Sequence, residues 1–188
     1  MNVTEKISSL IEQKAELQSE ISKLQDRQAA IESFNRKRLF EAMTHISQAA
    51  CTILRNDLPR QDEFQLCEAV SIDFAKNTIS VDGHRNFAES SNVVLKNSAI
   101  LALWVAACED DRFWHPRFCL FDNIEDKGME DIRSHQFQEI LVEIANSARP
   151  PHQIIFTTST ISPKLDIPTL VVGPHYTREQ RTLSFDNR

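Results

Sequence analysis

Glycine is scarce in this chain of 188 residues, which contains only Gly83, Gly128 and Gly173. A phosphate-binding GxxxxGK[ST] loop or a GxGxxG turn needs clustered glycines, because the backbone must wrap closely around an anion. The three glycines lie far apart, so the sequence contains neither motif. The chain therefore cannot hold nucleotide phosphates by itself with either kind of loop.

Cysteine and histidine are too dispersed for the usual zinc sites. The six histidines are scattered, and Pro116 between His115 and Cys119 argues against one helical face for that pair. The four cysteines, which form no CxxC pair, are Cys51, Cys67, Cys108 and Cys119. We therefore expect no metal site built from these side chains. Because there is no export signal, we expect four reduced thiols in a cytoplasmic protein.

Long apolar runs and an excess of positive charge are also absent. No apolar run approaches the roughly 20 residues that span a bilayer, so we expect no membrane partner. The chain has 27 acidic and 21 basic side chains and a net charge of −6 at pH 7. The field of the whole chain therefore disfavours nucleic acid, and DNA remains a possible partner only through a local basic surface.

The N-terminal part of the chain has the pattern of a coiled-coil helix over residues 1–57. No proline or glycine occurs before Pro59, and apolar residues recur at alternating steps of three and four. The eight positions of this seam, six of them apolar, are Ile7, Leu10, Lys14, Leu17, Ile21, Leu24, Gln28 and Ile31. A helix of about 50 residues is about 75 Å long, so its N-terminal part must pack on a helix from outside this chain. Two arrangements stay open: a homodimeric coiled coil, and half of an antiparallel hairpin.

Residues 58–188 are predicted to form one α/β domain with parallel inner strands. Alternating apolar residues predict a β-hairpin between Val70 and Val81, with its turn near Asn77. A helix capped by Ser90 or Ser91 follows. The elements predicted after it are a strand at 117–122, a helix at 131–146, a strand at 152–159, a short strand at 169–173 and a final strand at 181–185. This alternation of helices and strands is typical of an α/β sheet.

The strand at 117–122 runs directly into a dense acidic segment, "FCLFDNIEDKGMED". Open α/β sheets place ligand chemistry at the carboxyl ends of buried parallel strands, which is where Asp122 stands. A solvated acidic loop is the alternative, since charged runs usually lie in solvent.

The order of these elements resembles the C-terminal half of the ATPase head in SMC-like proteins. These are ABC-type ATPases of chromosome maintenance, DNA repair and phage defence, and the resemblance covers nearly the whole chain. In that family the N-terminal half of the head carries the phosphate loop, and a coiled coil leaves that half and returns. The C-terminal half carries the signature motif, the Walker B strand and the switch loop. The resemblance therefore implies a returning coiled-coil helix followed by a C-terminal half-head.

The resemblance also implies binding roles for ATP and Mg²⁺. Ser90, Ser91 and Asn92 in "FAESSNVVLKN" occupy the signature position. They would face the γ-phosphate of ATP held by a partner head, as suits a helix N-terminus; a plain serine N-cap is the alternative. Asp122 in "FCLFD" matches the end of the Walker B strand and would hold Mg²⁺ through water.

Two positions depart from the family pattern. Asn123 stands where the family has the glutamate that polarises the attacking water, and Glu125 is the nearest substitute. Ser159 in "QIIFTTST" stands where the family has the switch histidine. Asparagine cannot act as a base, so hydrolysis either uses Glu125 or is slow. The segment "DKGMED" is similar to the loop that crosses between two engaged heads.

Two functions stay open. The first is a head segment of an SMC-like ATPase that is inactive alone and is completed by a half carrying the phosphate loop. That half is either a separate chain or the remainder of a longer protein, and ATP would be coupled to DNA binding in repair or anti-phage defence. The second is a non-enzymatic coiled-coil interaction module with a degenerate ATPase-like fold, which the departures at Asn123 and Ser159 favour. In both cases we expect an oligomer, formed through the coiled coil or through engagement of two heads.

Overall fold

The computed structural model describes residues 2–177 and 180 and has the predicted α/β architecture. A long N-terminal helix and an antiparallel hairpin are followed by helices that alternate with parallel strands. The helices are α1 (Val3–Arg55), α2 (Asp62–Gln65), α3 (Glu89–Glu109) and α4 (Asp131–Ser147). The strands are β1 (Val70–Asp73), β2 (Thr78–Val81), β3 (Phe118–Phe121) and β4 (Gln153–Phe156). The chain divides into two compact units, residues 1–45 and residues 46–188.

The first unit consists of most of α1 and carries the predicted seam on its surface. Its six apolar members, from Ile7 to Ile31, are each between 52% and 65% exposed. An exposed helix of a soluble protein normally buries such a stripe against other apolar groups. Within this unit the seam therefore lacks the covering that its pattern calls for.

The second unit has a core formed by the last turns of α1, by α3 and by α4. Trp104 at its centre is fully buried, and its indole N–H donates to the carbonyl of Arg117 at 3.1 Å. The other largest buried apolar side chains are Leu54, Phe64, Val81, Val94, Leu101, Ile124 and Leu141. Burying each large apolar side chain contributes about 1.5–3 kcal/mol, so this cluster is the main source of stability in the unit.

Helix α3 is apolar enough to be compared with a membrane span. Among the described residues it is the helix that passes this test by length and composition, with a mean hydropathy of 1.4 in its most apolar stretch. That stretch is 56% buried inside the protein. Its apolar side chains therefore contact the protein's own core, as the core helix of a globular unit does.

The hairpin and the parallel strand pair confirm the predicted strands. Strands β1 and β2 pair antiparallel from Val70–Val81 to Asp73–Thr78, and the turn between them contains Asn77 with φ 50°. Asparagine tolerates this left-handed conformation better than most residues. Strands β3 and β4 pair parallel, with α4 as the crossover between them.

The short strand predicted at 169–173 is wrong. The chain turns there, because the N–H groups of Leu170 and Val171 both donate to the carbonyl of Ile167 at 3.0 Å. Val172 is 97% exposed and so packs against no core. In the described part of the chain no strand pairs with this segment. The final strand predicted at 181–185 lies outside the described residues.

The predicted serine cap of α3 is also wrong. The helix begins at Glu89, its N-cap residue is Ala88, and no side chain caps it. Ser90 and Ser91 lie within the first turn, where both hydroxyls accept hydrogen bonds from Arg133. A hydroxyl that faces a buried guanidinium in this way is not used to cap its own helix.

The expectation of four reduced thiols is corrected by a disulfide between Cys51 and Cys67. Their Cα atoms are 5.4 Å apart, a separation that suits a disulfide, and both residues are buried. The bond joins α1 to the segment after α2, a proximity that only the tertiary structure creates. Cys108 and Cys119 are free thiols.

A buried ion pair between Asp57 and Arg133 ties three elements of the second unit together. The guanidinium donates from Nε to Oδ1 at 3.0 Å and from Nη2 to Oδ2 at 2.5 Å. The two side chains are 4% and 3% exposed. Arg133 also donates from Nη1 to the hydroxyl of Ser91 at 3.2 Å. The pair therefore joins the chain just after α1 to the first turns of α3 and α4.

We predict that breaking this pair from one side destabilises the protein strongly. Asp57→Leu or Arg133→Met should each lower the free energy of unfolding by about 3–5 kcal/mol, because each leaves one buried charge without its partner. The double variant should cost clearly less than the sum of the two. Urea unfolding followed by circular dichroism measures all three values.

The control is Arg60→Met. Arg60 pairs with Glu130 at 2.8 Å, but these side chains are 46% and 54% exposed, so its loss should have a much smaller effect. Equal effects of Arg60→Met and Arg133→Met would contradict the importance of the buried pair.

Candidate functional site

The parallel pairing of β3 and β4 brings two chain segments together at the carboxyl edge of the sheet. The hydroxyl of Thr157, directly after β4, donates to Oδ1 of Asp122 at 2.9 Å. The same hydroxyl accepts the backbone N–H of Asn123 at 2.8 Å. The ladder continues past the strands, since Thr157 N–H donates to the carbonyl of Phe121 at 2.9 Å. The strand ends therefore fix the exposed carboxylate of Asp122.

Glu125 contacts the next two residues of the segment after β4. Its Oε2 accepts the hydroxyl of Thr158 at 2.8 Å, and its Oε1 accepts the backbone N–H of Ser159. Partial burial raises the pKa of this carboxyl, but the hydrogen bonds from Ser159 and Thr158 outweigh burial and hold the pKa below its ordinary value of 4.5. These bonds therefore add stability at neutral pH, which is lost as the pH falls through the lowered pKa.

The backbone at Asn123 explains how Glu125 reaches the segment after β4. Asn123 has φ 56° and so adopts the left-handed conformation, as Lys127 does at 61°. This conformation turns the chain sharply after β3, and asparagine accepts it more readily than glutamate does. The residue that departs from the family pattern thus has a backbone role in this structure.

The segment after β4, residues 157–162, is held from its other side by α4. Gln138 is fully buried and donates from Nε2 to the carbonyl of Thr160 at 2.9 Å. Its Oε1 accepts the N–H of Ser162 at 2.9 Å. His135 contacts the hydroxyl of Thr160 at 3.1 Å. We call residues 157–162 the β4 loop; its position depends on both Glu125 and α4.

Gln138 was not predicted from the sequence as a residue of the site. Polar residues on a helix are normally placed on the solvent side, so its identity alone gives no sign of burial. The available signal was its spacing, because Gln138 follows the buried Phe137 and lies one turn after Ser134 on the same face.

The residues predicted to contact the partner's ATP lie together at the start of α3. Ser91 is 2% exposed, and its hydroxyl accepts Arg133 Nη1. The exposed Asn92 donates from its side-chain amide to the carbonyl of Phe87 at 3.0 Å. The structure thus brings Asp122, Glu125 and Ser159 into one cluster and places Ser90, Ser91 and Asn92 in another.

The donor set of the cluster suits magnesium better than a transition metal. Residues 2–177 and 180 contain no group of three or more His, Cys, Asp or Glu side chains that could hold a metal ion. Mg²⁺ is usually bound through one or two carboxylates, with water and substrate phosphates as its other ligands. The exposed carboxylate of Asp122 fits one such position.

The free thiols are poor nucleophiles. Burial raises the pKa of Cys119 to about 11, and it also raises the pKa of Cys108. Neither thiol forms the reactive thiolate readily at neutral pH. The carboxylates at the strand ends are therefore the stronger candidates for chemistry.

Comparison with known proteins adds no evidence about the role of these carboxylates. No family model, no curated protein and no solved structure matches the chain.

Proposed function

We propose that this chain is the C-terminal head segment of an SMC-like ATPase, preceded by its returning coiled-coil helix. The observation that supports the proposal is the placement of Asp122 and Glu125 after β3, at the carboxyl edge of the parallel strand pair, where both accept hydrogen bonds from the β4 loop. Such an edge is where α/β sheets bind ligands. The chain lacks a phosphate loop, so another half must supply it.

Asp122 would bind Mg²⁺ through water in the completed head. Its exposure leaves it accessible, and the hydroxyl of Thr157 orients its carboxylate. The ion, when bound with ATP, neutralises charge on the phosphoryl oxygens. Phosphoryl transfer depends mainly on positioning and charge, so a correctly placed carboxylate is the principal contribution of this half.

Glu125 would orient the attacking water, a role for which it replaces the adjacent glutamate of the family. Its lowered pKa keeps it ionised at neutral pH and makes it a weak proton acceptor. It therefore suits hydrogen bonding to water better than proton removal, and we expect slow turnover. Ser159 assists by presenting its N–H to that carboxylate, and Asn123 by turning the chain.

The start of α3 would face ATP held by a partner head. A helix N-terminus attracts phosphate through its N–H groups and dipole. Arg133 contacts both serine hydroxyls, but Ser91 is buried, whereas Ser90 is partly exposed and Asn92 is exposed. Ser90 and Asn92 are therefore the more accessible side chains for this contact. Coupling to DNA in repair or phage defence rests on the resemblance alone.

We predict that Asp122→Ala abolishes ATP turnover in a head reconstituted with its phosphate-loop half. The loss should be at least about 100-fold, because a bound metal ion contributes several kcal/mol to the transition state. Far-UV circular dichroism should show an unchanged fold, and the chain alone should hydrolyse ATP only at the background rate. Phosphate release measures turnover.

The matched control is Asp166→Ala. Asp166 is an exposed aspartate that lies outside the segment after β3 and outside the β4 loop. It should leave turnover near the level of the unaltered head. Turnover as high in Asp122→Ala as in Asp166→Ala would rule out the magnesium role.

A second candidate function is a non-enzymatic coiled-coil interaction module, and the exposed seam favours it. Six Ile and Leu side chains stay more than half exposed on α1. Covering each contributes about 1.5–3 kcal/mol, so the seam strongly favours a helical partner. In a parallel pair in register the two copies of Lys14 would face each other, so we expect an antiparallel partner. Pairing of this kind would suffice for an interaction module, whereas the ATPase would also need the half that carries the phosphate loop.

We predict that the chain self-associates through this seam when no other helix covers it. Ile21→Glu should shift the equilibrium towards monomer, because it places a charge in the apolar interface. Ser22→Glu, one residue away and outside the seam, should leave association unchanged. Sedimentation equilibrium distinguishes these results, and a strictly monomeric chain with a fully formed helix would contradict the prediction.

A further inference from the structure

The β4 loop is attached to α4 by a side chain that has no access to water. Gln138 is 0% exposed, so its amide must find all its hydrogen-bond partners within the protein. Its Nε2 lies 3.0 Å from the hydroxyl of Ser134, 3.3 Å from that of Thr158 and 2.9 Å from the carbonyl of Thr160. Its Oε1 accepts the N–H of Ser162 at 2.9 Å. One side chain thus binds the loop at Thr158, Thr160 and Ser162.

This attachment continues to the candidate site through Thr158. The hydroxyl that Gln138 contacts lies 2.8 Å from Oε2 of Glu125 and donates to it. The next residue, Ser159, gives its N–H to the other oxygen of the same carboxylate. A displacement of the loop away from α4 would therefore remove the hydrogen bonds that Thr158 and Ser159 donate to Glu125.

Neighbouring residues of α4 reinforce the same loop. His135 contacts the hydroxyl of Thr160 at 3.1 Å, and Glu139 accepts the hydroxyl of Ser162 at 2.7 Å. Both residues are partly exposed, so water can replace their contacts, whereas nothing can replace those of the fully buried amide. Gln138 is accordingly the side chain on which the position of the loop depends most.

We propose that Gln138 is a positioning residue of the candidate site, which fixes the β4 loop and, through Thr158 and Ser159, the carboxylate of Glu125. Because it is fully buried, it acts on the site only through these residues. Its importance for turnover rests on the proposed function, whereas its control of Glu125 is a property of the folded chain alone.

The test compares Gln138→Met with Gln136→Met. Both variants replace glutamine by methionine on the same helix, but Gln136 donates to the carbonyl of Asn56, away from the loop. The pKa of the Glu125 carboxyl is measured by carbon-detected NMR titration, and the exchange rate of the Ser159 amide by hydrogen exchange. Gln138→Asn, which keeps an amide that is one methylene shorter, takes the place of Gln138→Met should the latter fail to fold.

We expect Gln138→Met to raise the pKa of Glu125 towards its ordinary value of 4.5 and to accelerate exchange at Ser159 on the order of tenfold. Amides of β3 and β4 should keep their protection, which separates loop release from global unfolding. Gln136→Met should match the unaltered chain in both measurements. An unchanged pKa and exchange rate in the folded Gln138 variant would overturn the proposal.

The outcome is independent of the proposed function, because neither measurement uses nucleotide. A reconstituted head that hydrolyses no ATP, combined with the expected pKa change, would overturn the ATPase role and support the positioning role. An active head, combined with an unchanged pKa of Glu125 in the Gln138 variant, would support the ATPase role and overturn the positioning role.

Discussion

The second unit depends on the buried ion pair between Asp57 and Arg133. Burial removes both groups from water, a cost that the protein offsets with three hydrogen bonds between them and with bonds from Arg133 to Ser90 and Ser91. The pair lies where the chain leaves α1, where α3 begins and where α4 begins. Its geometry therefore restricts how these helices can meet, and the apolar core around Trp104 supplies most of the free energy that holds them there.

The position of α4 determines the candidate site in turn. This helix starts at the ion pair, runs between β3 and β4 as the crossover, and carries Gln138 on its buried face. Gln138 holds the β4 loop, and that loop orients Asp122 and Glu125. The two carboxylates are thus oriented by the loop of a neighbouring strand through hydrogen bonds. In the proposed function, such a site would meet a nucleotide that the other half of the head presents.

Local patterns in the sequence predicted the helices and strands because apolar periodicity and turn residues act over a few positions. The prediction at 169–173 was wrong because apolar residues form a strand only where a neighbouring strand and a core exist. The disulfide between Cys51 and Cys67 and the engagement of Ser91 by Arg133 both depend on tertiary contacts that spacing along the chain does not reveal. Asp122 was placed correctly after a strand because its strand ends abruptly in charged residues. Gln138 was missed because a glutamine in a helix gives no local sign of burial.

In the proposed function Asp122 lies beside a nucleotide-bound metal ion, and paramagnetic NMR tests this proposal most directly. Mn²⁺–ATP added to a head reconstituted with its phosphate-loop half should broaden the amide signals of Asn123 and Thr157 strongly, because both groups adjoin the Asp122 carboxylate. Asp122→Asn should remove most of that broadening while the fold stays intact. Unbroadened signals from Asn123 and Thr157 in a head that binds Mn²⁺–ATP would contradict the account.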